Sequence, residues 1–280
     1  MTVTRFAPSP TGRLHLGHAF SAVLGHARAR TADGRFLVRI EDLDPGRSRP
    51  EFVDGIFEDV AWLGLEWDAQ VLVQSQRSAH YDAALATLRE RGLVYPCFCT
   101  RADIATALEA PHGPRASYPG ICRGRPDEPG RRAAEAHSWR LDADKAIAIA
   151  GLPGWSEGEE RFESRRIDID DVILARKDAP AAYHLACVVD DADSGVTLVT
   201  RAADLRPSTP VQRLLQQLLD LPEPSYIYHA IAAHANGRRL AKRDHAPTLA
   251  AMRESGVDGP GLAASLRAGQ LPLGFAFVAD

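Results

Sequence analysis

No apolar run in this 280-residue chain approaches the ~20 residues needed to cross a bilayer. The N-terminus lacks the basic-then-apolar layout of a secretory signal, so a cytoplasmic protein with no membrane partner is expected. There is no basic excess either: the net charge is −4. A nucleic-acid partner would therefore have to be met by a local basic face. No internal repeat and no coiled-coil heptad is visible. Cysteine is scarce, with four residues at 97, 99, 122 and 187. Three of them cluster, which in a cytosolic chain suggests a metal before a disulfide. What remains is an ordinary globular composition, 45% hydrophobic and 25% charged, long enough for one or two domains with a large core.

The most informative stretch is the first 18 residues, MTVTRFAPSPTGRLHLGH. An apolar run from Val3 to Ala7 meets Pro/Ser/Pro/Thr/Gly punctuation, then two histidines flanking a glycine, and an Ala/Leu-rich helical pattern from Ala19 to Arg30. That is strand, turn and helix start, with Ser9, Thr11, His15 and His18 as polar groups at the turn. A helix N-terminus offers unpaired N–H groups and partial positive charge to a phosphate. Gly17 removes a side chain where a ligand would approach the backbone.

A second buried strand is expected at 34–40, ending in the acids Glu41, Asp42 and Asp44 before Pro45-Gly46. Acids at a strand's carboxyl end fall where open parallel sheets hold ligands, although a polar loop start explains them equally well. Helical spacing marks Pro50 to Leu65 and Ser78 to Gly92 as scaffold, Gly92 as a C-cap, and Trp62 and Trp67 as packing residues. Residues 123–166 are the least readable; Arg123, Arg125, Arg131 and Arg132 there suit phosphates or a solvated loop. Order returns at Ile167 to Leu174, followed by the apolar segment 181–191, in which Cys187 reads as a small core residue. A β-rich run at 196–205 contains Arg201. An arginine at the end of a buried strand is costly without a partner, and a bound carboxylate would be one. Ser208 is the expected cap of a helix from Thr209 to Leu219, and Tyr226 to Ala233 a further strand. The basic loop NGRRLAKR (236–243) is either a solvated turn or a phosphate clamp. Two short helices and an apolar tail close the chain. Strands alternating with helices predict an α/β, doubly wound parallel sheet.

Cys97, Cys99 and Cys122 can share one tetrahedral zinc, which favours thiolates. From the residues alone the fourth position is open between Tyr118, His112 and solvent, and half-buried thiols without metal are the alternative. A zinc here would be structural, tying down a loop-rich segment with little core of its own.

RFAPSPTG (5–12) followed by HLGH (15–18) is similar to the HIGH signature of class I aminoacyl-tRNA synthetases, and to the glutamyl branch in particular. LVRIEDLDP (37–45), YHLACVVDD (183–191), TRAADLRPSTP (200–210) and RLAKR (239–243) resemble that branch's landmarks in the same order. Only 37 residues follow Arg243, and with the CFC…Y-x3-C cluster this resembles the glutamyl-queuosine tRNA(Asp) synthetases, paralogues that lack the anticodon-binding domain. The resemblance implies a Rossmann-like catalytic domain in two halves (1–96 and 167–232), a zinc-bearing insertion (97–166) and a short helical C-terminal region with the KMSKS-like loop (233–280). It implies an ATP-dependent ligase, acting as a monomer, that forms glutamyl-adenylate and passes glutamate to the queuosine of tRNA(Asp). Arg5, Phe6, Ala7, Pro8, Ser9, Glu41, Tyr183 and Arg201 would surround L-glutamate. His15, Gly17, His18 and Lys242 would meet ATP, with His15, His18 and Lys242 catalytic and Mg2+ accompanying the nucleotide. Cys97, Cys99, Tyr118 and Cys122 would hold Zn2+. The KMSKS loop reads RLAKR, so Arg239 replaces a lysine and Ala241 a serine; Lys242 is expected to keep the main role. Two other readings are a truncated enzyme charging a tRNA 3′ end and an inactive tRNA-binding paralogue, against which the intact HLGH and Glu41 argue.

Overall fold

Strand β1 (Val3–Phe6) is buried throughout and pairs in parallel with β2 (Arg35–Ile40), Val3 opposite Arg35 and Phe6 opposite Val38. A parallel pair needs a crossover, supplied by helix α1 (Leu16–Thr31), which lays Leu16, Ala19, Phe20 and Val23 on the sheet. Gly34 makes the return into β2 possible, because a Cβ there would stand 2.0 Å from the Thr2 carbonyl oxygen. The computed structural model describes residues 1–108, 118–238, 240 and 247–278. Helix α2 (Pro50–Trp62) leads to β3 (Leu72–Val73), which extends the parallel sheet in the order β1-β2-β3.

After α3 (Ser78–Glu90) the chain builds a separate antiparallel sheet from β4 (Val94–Cys97), past α4 (Arg101–Leu108) and α5 (Pro129–Ala134), with β5 (Ser138–Leu141). Helix α6 (Ala143–Ala150) then delivers the hairpin of β6 (Gly154–Glu157) and β7 (Glu160–Glu163), and β8 (Ile173–Ala175) returns to pair with β5. A second group of alternating helices and strands follows: α7 (Tyr183–Asp193), β9 (Leu198–Ala202), α8 (Thr209–Leu218) and β10 (Ser225–His229). β10 lies parallel to both β9 and β6. The two halves meet at β1, where the Thr197 amide donates to the Val3 carbonyl (3.0 Å) and the Val3 amide to Thr197 Oγ1 (2.9 Å). β1 thus has β2 on one side and the β9 segment on the other, which is the switch point where doubly wound sheets open a crevice. Strand β11 (Ile231–His234), helices α9 (Leu249–Glu254) and α10 (Gly259–Arg267), and β12 (Phe275–Val278) complete the chain.

The structure revises several expectations. The run 181–191, expected only as an apolar segment, is helical from Tyr183 and buries Leu185, Ala186, Val188 and Val189. The ordered run expected at Ile167 to Leu174 is a 3-10 turn (Arg166–Asp168) and then the short β8. Ser208 makes no side-chain cap; it sits in helical geometry at the end of a 3-10 turn, and Thr209 starts α8 with its hydroxyl turned to Arg201. The strand expected at 226–233 breaks at Ala230, which separates β10 from β11. The apolar tail pairs as β12 with β11. Within 97–166, the β6–β7 hairpin joins the sheet of β9 and β10, because Trp155 packs with Val199 and Tyr226 rather than with the cysteine unit.

Asp190, fully buried on α7, ties the halves together from the far face. It accepts from Gln74 Nε2 (2.8 Å), Arg77 Nε (2.7 Å) and the Tyr81 hydroxyl (2.9 Å). Removing a buried charge strands its partners. Asp190→Ala should therefore lower the unfolding free energy by about 3–5 kcal/mol, measured as a lower urea midpoint at an unchanged m value.

Candidate active site

A cavity of about 420 Å³ opens at the carboxyl ends of β1, β9 and β10. Its lining brings together Arg5, Phe6, Ala7, Pro8, His15, Gly17, His18, Glu41, Tyr183 and Arg201. Ser9 is not among the lining residues; it is exposed, and its carbonyl accepts from the Thr11 amide (2.8 Å). Lys242, with Arg239 and Ala241, lies outside the described residues.

On one side of the sheet the cavity is ionic. Arg5 and Arg39 both reach Asp191 of α7: Arg5 Nε at 2.9 Å and Arg39 Nη1 at 2.5 Å, both to Oδ1. Arg39 Nη2 also donates to Glu41 Oε1 at 2.9 Å. Burial by itself would raise the Asp191 carboxyl, but the two guanidiniums override it and hold Asp191 well below the usual carboxylate range. Glu41 moves the other way, because burial outweighs Arg39. Cys187 lies in the same group, 3.6 Å from Arg39 Nη2, and burial pushes its thiol up to about 12.

Arg201 differs from these two. It is 4% exposed, and its partners are neutral: Gln212 Oε1 (2.8 Å), Thr209 Oγ1 (2.7 Å), the Tyr183 hydroxyl (3.3 Å) and the Tyr228 hydroxyl (3.4 Å). Its Nε has no acceptor, and no carboxylate among the described residues is within ion-pair distance. A buried guanidinium without a counter-ion is expensive, so this position is built for an anionic ligand.

The other side is the start of α1. His15 caps it: His15 Nδ1 accepts from the Gly17 amide (3.1 Å), and His18 Nδ1 accepts from the His15 amide (3.2 Å). A ring nitrogen that accepts carries no proton, so the proton of each neutral imidazole is on Nε2, as a donor. Burial lowers His15 to about 4, which keeps it neutral at physiological pH. A Cβ on Gly17 would press within 3.1–3.2 Å of the His15 ring. The segment after the basic loop returns to the same place: the Leu249 amide donates to the Leu14 carbonyl (2.9 Å), and Thr248 bridges to His15.

Three participants escaped the sequence reading. Arg39 stands two residues before Glu41, and the period-2 alternation of a strand was the signal that both share a face. Ser21 and His229 are 2.7 Å apart and join α1 to the end of β10. His229 Nδ1 faces the Ala230 carbonyl (2.9 Å), which only accepts; in the neutral ring Nε2 therefore accepts a hydrogen bond from the Ser21 hydroxyl. Nothing local in the sequence connects positions 21 and 229.

The cysteine cluster forms a second site. The Sγ atoms of Cys97, Cys99 and Cys122 lie within 4.8 Å of one another. The Tyr118 hydroxyl stands 3.3 Å from Cys97 Sγ and 3.5 Å from Cys99 Sγ. Three soft donors and one oxygen converging from β4, the turn after it and the loop at Tyr118 suit a tetrahedral zinc. His112 is outside the described residues. Arg123 is not available to a phosphate; it is committed to Asp171 and Asp144, both at 2.6 Å.

A carboxylate depressed on folding stabilises the fold above its unfolded pKa, near 3.9, and the stabilisation is lost as pH falls through the folded value. Asp191→Asn should therefore cost most at neutral pH, and its deficit should shrink below about pH 4. An equal deficit at pH 7 and pH 3 in urea titrations would contradict this pairing.

Comparison with known proteins agrees with these features. Residues 1–266 match the family described as tRNA synthetases class I (E and Q), catalytic domain. The chain is 46% identical over 270 residues to the glutamyl-Q tRNA(Asp) synthetase of Rhodobacter capsulatus, covering 91% of this chain and 96% of that protein. It is 44% identical over 253 residues to the protein of that name from Nocardia farcinica, covering 90% and 79%. Among solved structures it resembles a glutamate tRNA ligase from Elizabethkingia meningosepticum crystallised with its amino acid. The TM-score is 0.81 at 24% identity, covering 95% of this chain and 60% of that one, and the likeness is one of fold. The strand–HLGH–helix start, the cavity at the switch point and the match over 266 of 280 residues place this chain in the class I tRNA synthetase family (E and Q), in its catalytic domain.

Proposed function

We propose that the chain activates L-glutamate with ATP and transfers the glutamyl group to the queuosine of tRNA(Asp). The observation that carries the first step is the buried guanidinium of Arg201, which has no carboxylate partner among the described residues while the other buried arginines of the site are paired. Among the buried groups, Arg5, Arg39 and Arg201 stand against Asp191 and Glu41, leaving one buried positive charge, while Asp204, which also lines the cavity, is exposed to solvent. Glutamate carries two carboxylates and one ammonium, so it brings the one negative charge that balances the site. In this reading Arg201 takes a carboxylate, with the Tyr183 hydroxyl beside it, and Glu41 takes the ammonium.

The α-carboxylate oxygen attacks the α-phosphorus of ATP, the bond to the β-phosphate oxygen breaks and pyrophosphate leaves. A hydroxyl of the queuosine cyclopentenediol then attacks the acyl carbon and AMP leaves with the bonding electrons. The chain contributes position and charge rather than a covalent intermediate. The Nε2 donors of His15 and His18 and the α1 N-terminus suit the phosphates. Leu240 lines the cavity and Thr248 bridges to His15, so the described residues that flank the basic loop in sequence are at the site. That supports Lys242 as the cation opposite the histidines, with Mg2+ accompanying ATP. Names of relatives supply the acceptor, and the 46% identity over nearly the whole of one of them supports carrying it over.

We also propose that Cys97, Cys99, Tyr118 and Cys122 hold a structural zinc, which would crosslink β4 to the Tyr118–Cys122 loop when bound.

Glutamate-dependent ATP–pyrophosphate exchange should occur and should fall at least 100-fold in Arg201→Ala, with KM for glutamate rising; unchanged exchange would sink the assignment. Labelled glutamate should be transferred only to queuosine-containing tRNA(Asp), and the label should survive removal of the 3′ nucleotides. Elemental analysis should find one zinc per chain, and chelation should lower the melting temperature; in Cys122→Ala, zinc content should fall and chelation should have no further effect.

A further inference from the structure

We infer that Arg140 is the counter-charge of the cysteine cluster, offsetting the negative charge that three thiolates leave on a bound zinc. This rests on the zinc reading above and adds a residue outside the proposed ligand set. Among the described residues the buried arginines are Arg5, Arg39, Arg140, Arg201 and Arg213. Arg5 and Arg39 share Asp191, and Arg213 reaches Glu223 at 2.6 Å. Arg201 lines the substrate cavity, where a ligand carboxylate can meet it. Arg140 is left. It stands on β5, away from that cavity and 7% exposed, and no carboxylate among the described residues is within ion-pair distance of it.

Arg140 Nη1 donates to the Asp171 main-chain carbonyl (2.7 Å), and its Nε has no acceptor. The acids around it are committed elsewhere. The Asp171 carboxylate takes Arg123 Nε (2.6 Å), the Ala143 amide (3.0 Å) and the Tyr95 hydroxyl. Asp170 accepts from the Tyr118 and Asp171 amides (3.0 and 2.8 Å), while Asp44 and Asp178 pair with Arg47 and Arg176. What Arg140 does meet is Tyr118, whose ring centroid lies 3.8 Å from the guanidinium carbon. The hydroxyl of that ring stands 3.3 Å from Cys97 Sγ and 3.5 Å from Cys99 Sγ, and it accepts from the Cys122 amide (2.9 Å). The cation is thus separated from the sulfurs by a single ring. Strand register puts it there: Cys97 pairs with Ser138 and Tyr95 with Arg140, so Arg140 shares the face of the ladder that carries Cys97.

The chemistry of the donors supplies the opposite sign. Beside protonated thiols Arg140 is a buried charge with nothing to cancel it, which is a cost. Zinc takes cysteines as thiolates, so binding releases their protons. One Zn2+ and three thiolates sum to one net negative charge with Tyr118 still a phenol, and one guanidinium cancels it. The contact with the ring face adds cation–π attraction and holds the Tyr118 hydroxyl toward the sulfurs. Arg140 is therefore a positioning residue whose charge counts only when the metal is bound.

The test is zinc affinity of the full chain, measured by competition with a chromophoric chelator, with Co2+ as the spectroscopic probe of thiolate ligation. Arg140→Gln should weaken zinc binding about 10- to 100-fold. Arg140→Lys, which keeps the charge, should recover most of that loss. In urea titrations the deficit of Arg140→Gln should be larger in the zinc-loaded chain than in the metal-free chain, by the amount that the affinity loss requires. Should Arg140→Gln fail to fold, Arg140→Met takes its place, since its unbranched stem still covers the Tyr118 ring. A purely structural role predicts the reverse pattern: metal-free stability falls as far as zinc-loaded stability, and Lys and Gln behave alike. That pattern, or unchanged zinc affinity in the neutral variants, would overturn the inference. Absence of thiolate-to-Co2+ charge-transfer bands in the unsubstituted chain would instead overturn the zinc reading, and the counter-charge role with it.

Discussion

The site depends on one buried carboxylate. Asp191 sits on α7 yet holds the side chains of Arg5 on β1 and Arg39 on β2, so a single group sets the spacing of a helix and two strands. Such a cluster adds little net stability, because the desolvation of its charges roughly offsets their attraction. Its value is geometric. With Asp191 in place, Arg39 is turned so that its remaining edge meets Glu41, and the acid after β2 is fixed toward the cavity. The neighbouring Asp190 points to the opposite side of the helix, into Gln74, Arg77 and Tyr81. Two adjacent aspartates thus clamp α7 from both sides, and Tyr183 at its start is carried to the rim of the cavity.

That arrangement divides the arginines by role. Arg5 and Arg39 are neutralised inside the protein and serve as framework, although Arg5 also lines the cavity. Arg201 is surrounded by amide and hydroxyl oxygens that orient a guanidinium without cancelling its charge. At the start of α1 the logic is one of tautomers: backbone amides occupy Nδ1 of both histidines, so each Nε2 is a donor before any ligand arrives.

Much of this was legible in the chain. The strand–turn–helix at the N-terminus, the acids after β2, the isolated Arg201 and the clustered cysteines all carry local signals: period, punctuation, or a residue type out of place on a buried strand. The run 181–191 gave no such signal, since an apolar helix and an apolar strand segment of that length look alike in one sequence. Ser208 misled because its residue type suits a cap, while the preceding 3-10 turn had already placed it in helical geometry.

The order of residues alone settles which chemistry is present: the histidine pair around Gly17, an acid after a buried strand, an arginine in need of an anion, and three thiols close along the chain. Each of those depends on neighbours a few residues away. Which arginine keeps an uncancelled charge is a matter of the fold. Arg5, Arg39 and Arg201 are equivalent as letters, and what separates them is Asp191, which reaches two of them across more than 150 positions and leaves the third without a counter-ion.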